Sequence, residues 1–168
     1  DEAAILNPMF KGYRYHFTGL HHDVSGHPTE DETKCQDLIE RLFNKVEAHM
    51  DEIDDYEEYL LEDADIMIIA YGSVALSVKE SIKRLREMNI KVGLFKPLTL
   101  WPSAENKIKE LCNKFEKVLV IELNMGQYIQ EIQRASGRTD LHTLFKANGR
   151  PIAPAEIIEK IKGMQDGI

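Results

Sequence analysis

The sequence predicts an α/β domain in which a mainly parallel sheet lies between two layers of helices. In the second half of the chain, short apolar runs alternate with amphipathic helical segments. The runs are apolar at consecutive positions, so both faces of each strand are expected to be buried, as in parallel sheets covered by helices. The 168 residues, of which 43% are hydrophobic, fit one such domain with a sizeable core.

The first part of the chain is less regular. Residues 1–32 show no sustained period and carry several Gly and Pro, which predicts an irregular segment with one short strand. In residues 33–61 apolar side chains recur every three or four positions, which predicts a helix. Thr29 or Asp31 is placed to cap its start, and the helix is expected to break near Asp51, where acidic residues crowd.

The alternation of strands and helices occupies residues 65–163. Apolar runs predict four strands, at 66–70, 92–95, 118–121 and 141–145. One-sided apolar patterns predict the helices that follow them, at 75–88, 108–115, 125–132 and 157–161.

The charge of the chain excludes some partners. The 21 basic against 29 acidic residues give a net charge of −8, a poor match to a phosphate backbone, so no nucleic acid is expected as a partner. No apolar run approaches the roughly 18 residues of a membrane helix, and no signal or transit peptide is visible. Between Glu47 and Val78 there are ten acidic residues and no Lys or Arg, which we interpret as a solvated face. The chain starts at Asp1 rather than Met, which fits a piece of a longer protein.

The two cysteines are too few for a disulfide framework or for the ligands of an iron–sulfur cluster. Cys35 and Cys112 each fall on the apolar face of a predicted helix, where buried structural thiols are expected. Trp101 and Met125 are interpreted as packing residues.

The first strand of the alternating region ends in Tyr71-Gly72-Ser73. Gly72 permits a sharp turn, and Ser73 is a natural N-cap for the helix that follows. Helix N–H groups in such a turn can bind an anion. The spacing matches neither G-x-G-x-x-G nor a Walker loop, so a plain strand-to-helix turn is the alternative.

The third strand of that region ends in Glu122-Leu123-Asn124-Met125-Gly126-Gln127, at the sheet edge where open α/β folds place ligands. Glu122 can act there as a base, and Asn124 and Gln127 can hydrogen-bond a partner. In the alternative scaffold role, Asn124 caps the helix, Gly126 permits close packing and Glu122 pairs with a basic side chain. The sequence leaves both possibilities open.

A polar segment near the start holds three histidines and an aspartate, and zinc binds such side chains. The four candidates are His21, His22, Asp23 and His27. Adjacent histidines in a loop are awkward tetrahedral ligands, and no Cys or spaced acid completes a known pattern, so we expect a loop that contacts another domain. Because no catalytic triad, carboxylate pair or phosphate loop emerges, the residues alone predict a domain without a self-contained active site.

Five blocks of the chain, in order along nearly its whole length, resemble a known family. They are 17–23 with 26–31, 69–73, 93–102, 120–127 and 146–152. Their order and spacing resemble the C-terminal part of the α subunit of 2-oxoacid:ferredoxin oxidoreductases, and most of all the 2-oxoglutarate enzymes. The E-x-N-x-G-Q and K-x-N-G-R-P blocks are the most specific.

The resemblance implies a fold and a domain order. The family has a three-layer α/β/α sandwich on a mixed five-stranded sheet with one antiparallel strand, like the C-terminal domain of transketolases. Residues 13–18 are then the candidate for the fifth strand. Residues 1–32 are expected to connect from an absent pyrimidine-type thiamine-diphosphate domain, and residues 33–168 to form the transketolase-C-terminal-like domain.

The resemblance also implies a function for the complete enzyme. That enzyme would oxidatively decarboxylate 2-oxoglutarate with CoA to succinyl-CoA and reduce ferredoxin, using thiamine diphosphate, magnesium and an iron–sulfur cluster. The implied partners are a β subunit with the diphosphate-binding domain, a γ subunit and a ferredoxin-like subunit, in a cytoplasmic dimer of heteromers. This chain is expected to hold no catalytic, cofactor-binding or metal-binding residue and to be inactive alone.

Other functions stay open from the sequence. The chain fits the same domain of a pyruvate or branched-chain 2-oxoacid enzyme, or the equivalent domain of a transketolase-like enzyme, although the E-x-N-x-G-Q block argues against the latter. A free-standing module that binds a small anion at Gly72-Ser73 or Asn124 is a further alternative.

The domain is expected to meet its partners through the carboxyl ends of its strands and through the polar N-terminal loop. The acidic residues from Asp51 to Asp65 are expected to face water, because desolvating many like charges is unfavourable. The residues expected at the interface are Thr18, His21, His22, Asp23, Gly72, Ser73, Glu122, Asn124, Gly126 and Gln127.

Overall fold

The chain forms two compact units, residues 1–50 and residues 51–168. The structure, a computed structural model, describes residues 7–14 and 18–165. The first helix belongs to the first unit, whereas the sequence assigns it to the α/β domain.

The first unit is a short hairpin followed by one helix. Strands β1 (His21–His22) and β2 (Pro28–Thr29) pair in antiparallel fashion. Helix α1 (Glu32–Glu47) begins after Asp31, whose carboxylate accepts a 3.0 Å hydrogen bond from the Lys34 N–H. Of the two predicted N-caps, Asp31 is the one that the structure uses.

Helix α1 is amphipathic but buries none of its residues. Cys35 is only partly buried, so its prediction as a core thiol is wrong, and its thiol lies 3.8 Å from the Thr29 carbonyl. The helix ends at Glu47, well before the predicted end at residue 61, and a single turn, α2 (Met50–Ile53), follows.

The second unit is built on a mixed sheet of five strands. Their bounds are β3 (Tyr56–Tyr59), β4 (Ile66–Ala70), β5 (Val92–Pro97), β6 (Lys117–Glu122) and β7 (His142–Phe145). The spatial order is β3-β5-β4-β6-β7; β3 runs antiparallel to β5, and the other pairs are parallel. The expected mixed five-stranded sheet is confirmed.

Helices cover both faces of this sheet. Their bounds are α3 (Val74–Glu87), α4 (Glu105–Lys114), α5 (Tyr128–Ser136) and α6 (Pro154–Gln165). Successive residues of β4 point to opposite faces, so Ile68 joins the core under α3 and α6 while Met67 joins the core under α4 and α5. The three-layer α/β/α sandwich is therefore confirmed. In the described part of the chain, no helix is both long enough and apolar enough to cross a membrane.

The fifth strand is β3 rather than the predicted segment 13–18. Residues 15–17 lie outside the described residues, and Tyr13, Arg14 and Thr18 are not in a strand. The sequence of β3 is Tyr-Glu-Glu-Tyr, which has no apolar run because the strand lies at the sheet edge and is only half-covered. The burial of side chains alternates along β3, but the strand lies within residues 33–61, whose apolar spacing also fits a helix.

The acidic residues between Glu47 and Asp65 are mostly exposed, as expected for a solvated face, and the two in β3 also form ion pairs. Glu57 forms ion pairs with Lys79 of α3 and Lys96 of β5, the latter at 3.1 Å. On the opposite face of the strand, Glu58 pairs with Lys107 of α4 at 2.8 Å. These pairs fasten the edge strand to both helical layers.

We expect the two thiols to differ in reactivity. Burial raises the pKa of the Cys112 thiol, and the side chain lies in the core under α4 and α5, whereas Cys35 is partly exposed. In native protein, a disulfide reagent should therefore label Cys35 readily and Cys112 only after unfolding, with two free thiols in total under unreduced, denaturing conditions. Finding no free thiol after denaturation, or equal native rates in the wild type and in the Cys35→Ala variant, would contradict this.

Candidate functional site

The carboxyl ends of β4 and β6 lie side by side at the centre of the sheet, where the topology reverses. β4 continues into α3 on one face, and β6 continues into α5 on the other. Such a switch point leaves a crevice between the two diverging connections, and open α/β folds bind ligands there. Here it is a cavity of about 170 Å³, lined by residues 71–74 and 121–124.

Glu122 is the last residue of β6 and is 1% exposed. One carboxylate oxygen, Oε2, accepts hydrogen bonds from the Tyr71 hydroxyl at 3.0 Å and from the Tyr128 N–H at 2.9 Å. The other, Oε1, accepts a 2.9 Å bond from the Ile129 N–H. The carboxylate thereby caps the first turn of α5 from inside, where the positive end of the helix dipole favours a negative charge.

Asn124 extends this network to the turn before α5. Its side-chain amide donates a 3.0 Å hydrogen bond to the Tyr71 hydroxyl, which in turn donates to Glu122. Its Oδ1 accepts from the N–H groups of Gly126 at 2.7 Å and Gln127 at 3.0 Å. The polar groups at this strand end are therefore bonded to one another.

The two tyrosines of the network titrate late. Burial raises the pKa of Tyr71, and the nearby Glu122 charge adds to the shift. Burial raises the pKa of Tyr128 to about 12, and its hydroxyl has no hydrogen-bond partner within the described part of the chain to stabilise a phenolate. Their rings pack edge to face with centroids 5.3 Å apart, so β4 and α5 also meet through apolar contact.

The scaffold alternative for this strand end is thus largely what the structure contains, with one correction. Glu122 pairs with backbone N–H groups and a hydroxyl, not with a basic side chain. Gly126 permits close packing as predicted, since a Cβ there would lie 2.6 Å from the Phe145 ring, and its φ of +87° favours glycine. As a base, Glu122 is unsuited because its oxygens are buried and occupied.

The turn after β4 is looser. Gly72 has a φ of +59°, which confirms the predicted sharp turn. Ser73 occupies the predicted N-cap position of α3, but its hydroxyl accepts no hydrogen bond from the helix N–H groups, so the predicted side-chain cap is wrong. A plain strand-to-helix turn describes these contacts.

The structure therefore assembles six of the ten predicted interface residues in the second unit. Glu122 and Gly126 are buried and Asn124 is half-buried, while Gly72, Ser73 and Gln127 are exposed at the same carboxyl edge of the sheet. The interface itself stays a prediction. Two residues interpreted as packing residues are instead exposed beside this edge, Trp101 to 73% and Met125 to 79%, so that interpretation is wrong.

The other four lie in or just before the hairpin of the first unit. The Thr18 hydroxyl is 3.3 Å from His22 Nε2. Asp23 accepts hydrogen bonds from the backbone N–H and the hydroxyl of Ser25, and this hydroxyl is 2.9 Å from His27 Nδ1. His21 is exposed. Nowhere in residues 7–14 and 18–165 do three His, Cys, Asp or Glu side chains converge in a way that could hold a metal.

A second, wider opening lies next to the network, between the turn after β6 and the turn after β7. This β6–β7 groove has a volume of about 650 Å³, and its lining includes Leu123, Met125, Gln127, Lys146, Arg150 and Pro151. Sequence reasoning gave no role to Tyr71, Tyr128, Lys146 or Arg150. Tyr71 stands in the Y-G-S block and Arg150 in the K-x-N-G-R-P block, so the family blocks carried the signal without a role attached.

The family model for pyruvate:ferredoxin oxidoreductase core domain II matches residues 64–157, more than half of the chain. The chain belongs to this family. The matched residues include both turns that line the crevice and the K-x-N-G-R-P block. The match confirms the resemblance to 2-oxoacid:ferredoxin oxidoreductases.

Curated relatives match most of this chain. It is 38% identical over 156 residues to the 2-oxoglutarate synthase subunit KorA of Methanothermobacter marburgensis, covering 92% of this chain and 42% of the relative. It is 34% identical over 107 residues to the ketoisovalerate oxidoreductase subunit VorB of Methanothermobacter thermautotrophicus, covering 64% of this chain and 30% of the relative. The chain thus spans less than half the length of these relatives.

Solved structures agree with the fold. A 2-oxoglutarate:ferredoxin oxidoreductase from Magnetococcus marinus, with 2-oxoglutarate, coenzyme A and succinyl-CoA bound, matches with a TM-score of 0.77 and 26% identity, over 93% of this chain and 27% of that chain. A split-gene transketolase matches over 64% of this chain and 40% of that chain, with a TM-score of 0.52 and 14% identity, which supports the transketolase-like fold.

The buried carboxylate network generates a stability prediction. In Glu122→Gln an amide NH₂ replaces one acceptor oxygen and faces backbone N–H groups, so at least one buried donor loses its partner. We expect a loss of about 1–3 kcal/mol in the free energy of unfolding, measured by urea denaturation. The matched control is Glu116→Gln, an exposed glutamate after α4, which should change stability by no more than about 0.5 kcal/mol. Equal stability of both variants would show that Glu122 does not hold α5.

Proposed function

We propose that this chain is the C-terminal part of the α subunit of a 2-oxoglutarate:ferredoxin oxidoreductase. The complete complex oxidatively decarboxylates 2-oxoglutarate with CoA, yields succinyl-CoA and CO₂, and reduces ferredoxin. Within that complex this chain is a non-catalytic domain that organises contacts between domains and subunits.

The observation that carries the proposal is the extent of the similarity to 2-oxoglutarate synthase subunits. The KorA protein of Methanocaldococcus jannaschii aligns over 165 residues and 97% of this chain, so the alignment includes most of the first unit as well as the α/β unit. The ketoisovalerate subunit aligns over 107 residues, a length that the second unit alone can accommodate. This difference favours the 2-oxoglutarate enzymes over the branched-chain ones.

An organising role fits the chemistry of the carboxyl edge. Glu122, the candidate base, is buried with both oxygens hydrogen-bonded. The N–H groups at the start of α5 already have acceptors, Glu122 for Tyr128 and Ile129 and the Asn124 side chain for Gln127. The same occupancy argues against a small-anion module at Asn124.

The cofactors implied for the complete enzyme do not fit the described residues of this chain. A diphosphate needs free N–H donors together with cations; the N–H groups at the start of α5 are taken, and the crevice lining holds the Glu122 carboxylate and no Lys or Arg. A magnesium site needs converging oxygen ligands, and the described residues bring no such acidic group together. An iron–sulfur cluster needs four cysteine thiolates as ligands, and the chain has two cysteines. We therefore propose that thiamine diphosphate, magnesium and the iron–sulfur cluster are held by other parts of the complex, which includes the β, γ and ferredoxin-like subunits.

Reconstitution tests the proposal directly. The chain alone, supplied with thiamine diphosphate, magnesium, CoA and an electron acceptor, should not decarboxylate 2-oxoglutarate. An α subunit that carries this chain, co-expressed with its partner subunits, should turn over 2-oxoglutarate with a higher kcat/KM than pyruvate or 2-oxoisovalerate. Turnover by the isolated chain would refute its non-catalytic role. A preference for another 2-oxoacid in the assembled complex would refute 2-oxoglutarate as the substrate.

The exposed apolar side chains beside the crevice predict where assembly takes place. Truncating a large side chain in the centre of an interface commonly costs more than about 1 kcal/mol of binding free energy. We therefore expect Met125→Ala to weaken association of the α subunit with its partners, measured by analytical ultracentrifugation, without lowering the Tm of the isolated chain.

The matched control is Met88→Ala, a methionine that is also half-exposed but lies at the far end of α3, near the opposite edge of the sheet. It should leave association unchanged. If Met88→Ala weakens assembly and Met125→Ala is silent, the interface lies at the other edge.

A further inference from the structure

The β6–β7 groove, defined above, combines apolar walls with one uncompensated positive charge. We propose that it binds a polypeptide segment of a partner domain or subunit that presents an acidic side chain next to an apolar one. Arg150 pairs with the acid, and Met125 packs against the apolar residue. The inference rests on the proposed function, because it takes the groove to be part of the assembly interface.

The charge of the groove differs from that of the chain as a whole. The chain carries a net charge of −8, yet the groove lining contains Lys146 and Arg150 and no acidic residue. Lys146 is neutralised by Glu156, whose two oxygens lie 2.8 and 2.9 Å from Nζ. The guanidinium of Arg150 is exposed and makes no hydrogen bond or ion pair with any residue that the structure describes. One free positive charge therefore faces the groove's opening, which favours an acidic partner.

The turn that carries Arg150 is fixed by its own contacts. The Asn148 side chain accepts a 3.1 Å hydrogen bond from the Arg150 N–H, and Gly149 provides the φ of +73° that this turn requires. Lys146 Nζ also donates a 3.1 Å bond to the Pro151 carbonyl and so ties the two ends of the turn together. A guanidinium on a fixed turn loses less conformational entropy when it binds a carboxylate in bidentate geometry.

The same contacts favour a carboxylate over a phosphate group. A phosphate dianion is bound by several donors at once, commonly helix N–H groups together with more than one cation. Beside the groove the first N–H groups of α5 are occupied by Glu122 and Asn124, and Lys146 is already paired. What remains is one guanidinium next to the exposed apolar side chains of Leu123 and Met125. This combination matches an acidic residue beside an apolar one in a polypeptide.

Charge reversal in the complete complex tests the pairing. Arg150→Glu should weaken association of the α subunit with its partners by about tenfold or more, because a repulsive contact replaces an ion pair. The isolated variant should keep the Tm of the wild type, since the Arg150 side chain is exposed and forms no hydrogen bond or ion pair with the described residues. The matched control is Lys109→Glu, an exposed lysine on α4 that forms no hydrogen bond or ion pair with the described residues, which should leave association within about twofold of the wild type.

Zero-length crosslinking identifies the partner segment. In Arg150→Lys, a carbodiimide activates the partner's carboxyl group, the new lysine amine attacks it, an amide bond forms and the urea leaves. Mass spectrometry of the treated complex should then join position 150 to an Asp or Glu outside residues 51–168 that has an apolar neighbour. The natural Lys109 should give no such crosslink.

The outcomes separate this inference from the function on which it rests. If Arg150→Glu assembles like the wild type and position 150 gives no crosslink, while the complex still oxidises 2-oxoglutarate, the groove proposal is overturned and the proposed function stands. If the chain does not assemble into an active complex at all, both fail. If calorimetry shows that the isolated chain binds inorganic phosphate or CoA and that Arg150→Glu abolishes this binding, the groove is a small-anion site and the proposal is overturned.

Discussion

The carboxylate of Glu122 must find its hydrogen-bond donors inside the protein, since it ends the interior strand β6 with 1% of the residue exposed. It finds three, one hydroxyl from the turn after β4 and two N–H groups from the first turn of α5. Strand β6, strand β4 and helix α5 are thereby joined at a single point. Much of the geometry at the carboxyl edge depends on this, because each of those donors would be costly to leave buried without an acceptor.

This arrangement changes what the switch point can do. In many α/β folds the N–H groups at a helix start beside the switch point are open to an anionic ligand. Here the chain supplies its own anion, and Asn124 satisfies the neighbouring N–H groups. The edge becomes a rigid platform, on which Trp101 and Met125 stand exposed and the turn around Arg150 is held in place. A rigid platform with exposed anchors suits recognition between domains better than chemistry on a small substrate.

The sequence predicted the strands that carry apolar runs well and the edge strand β3 poorly, for one physical reason. Strands β4, β5 and β6 carry apolar runs because they are buried between the helical layers, and the half-buried edge strand β7 keeps enough apolar residues for its position to be predicted closely as well. Strand β3 lies at the edge and is stabilised by ion pairs that join Glu57 and Glu58 to lysines distant in sequence, which no local pattern reveals. Likewise, the location of Glu122 at a ligand-binding edge was predictable, whereas its bond with the Tyr71 hydroxyl depended on a contact across 51 residues.

The exposed residues show why an interface is harder to predict than a core. Trp101 and Met125 look like packing residues in a sequence, because large apolar side chains are usually buried. Only the topology shows that both follow strand ends at the carboxyl edge, where no element of the second unit covers them. Arg150 is the converse case, since a lone arginine in a turn carries no signal until its neighbours are known. Because Lys146 is paired with Glu156, Arg150 is the basic residue of the groove lining that has no acidic partner among the described residues. A positive charge next to apolar side chains favours a ligand that has an acidic group beside an apolar one.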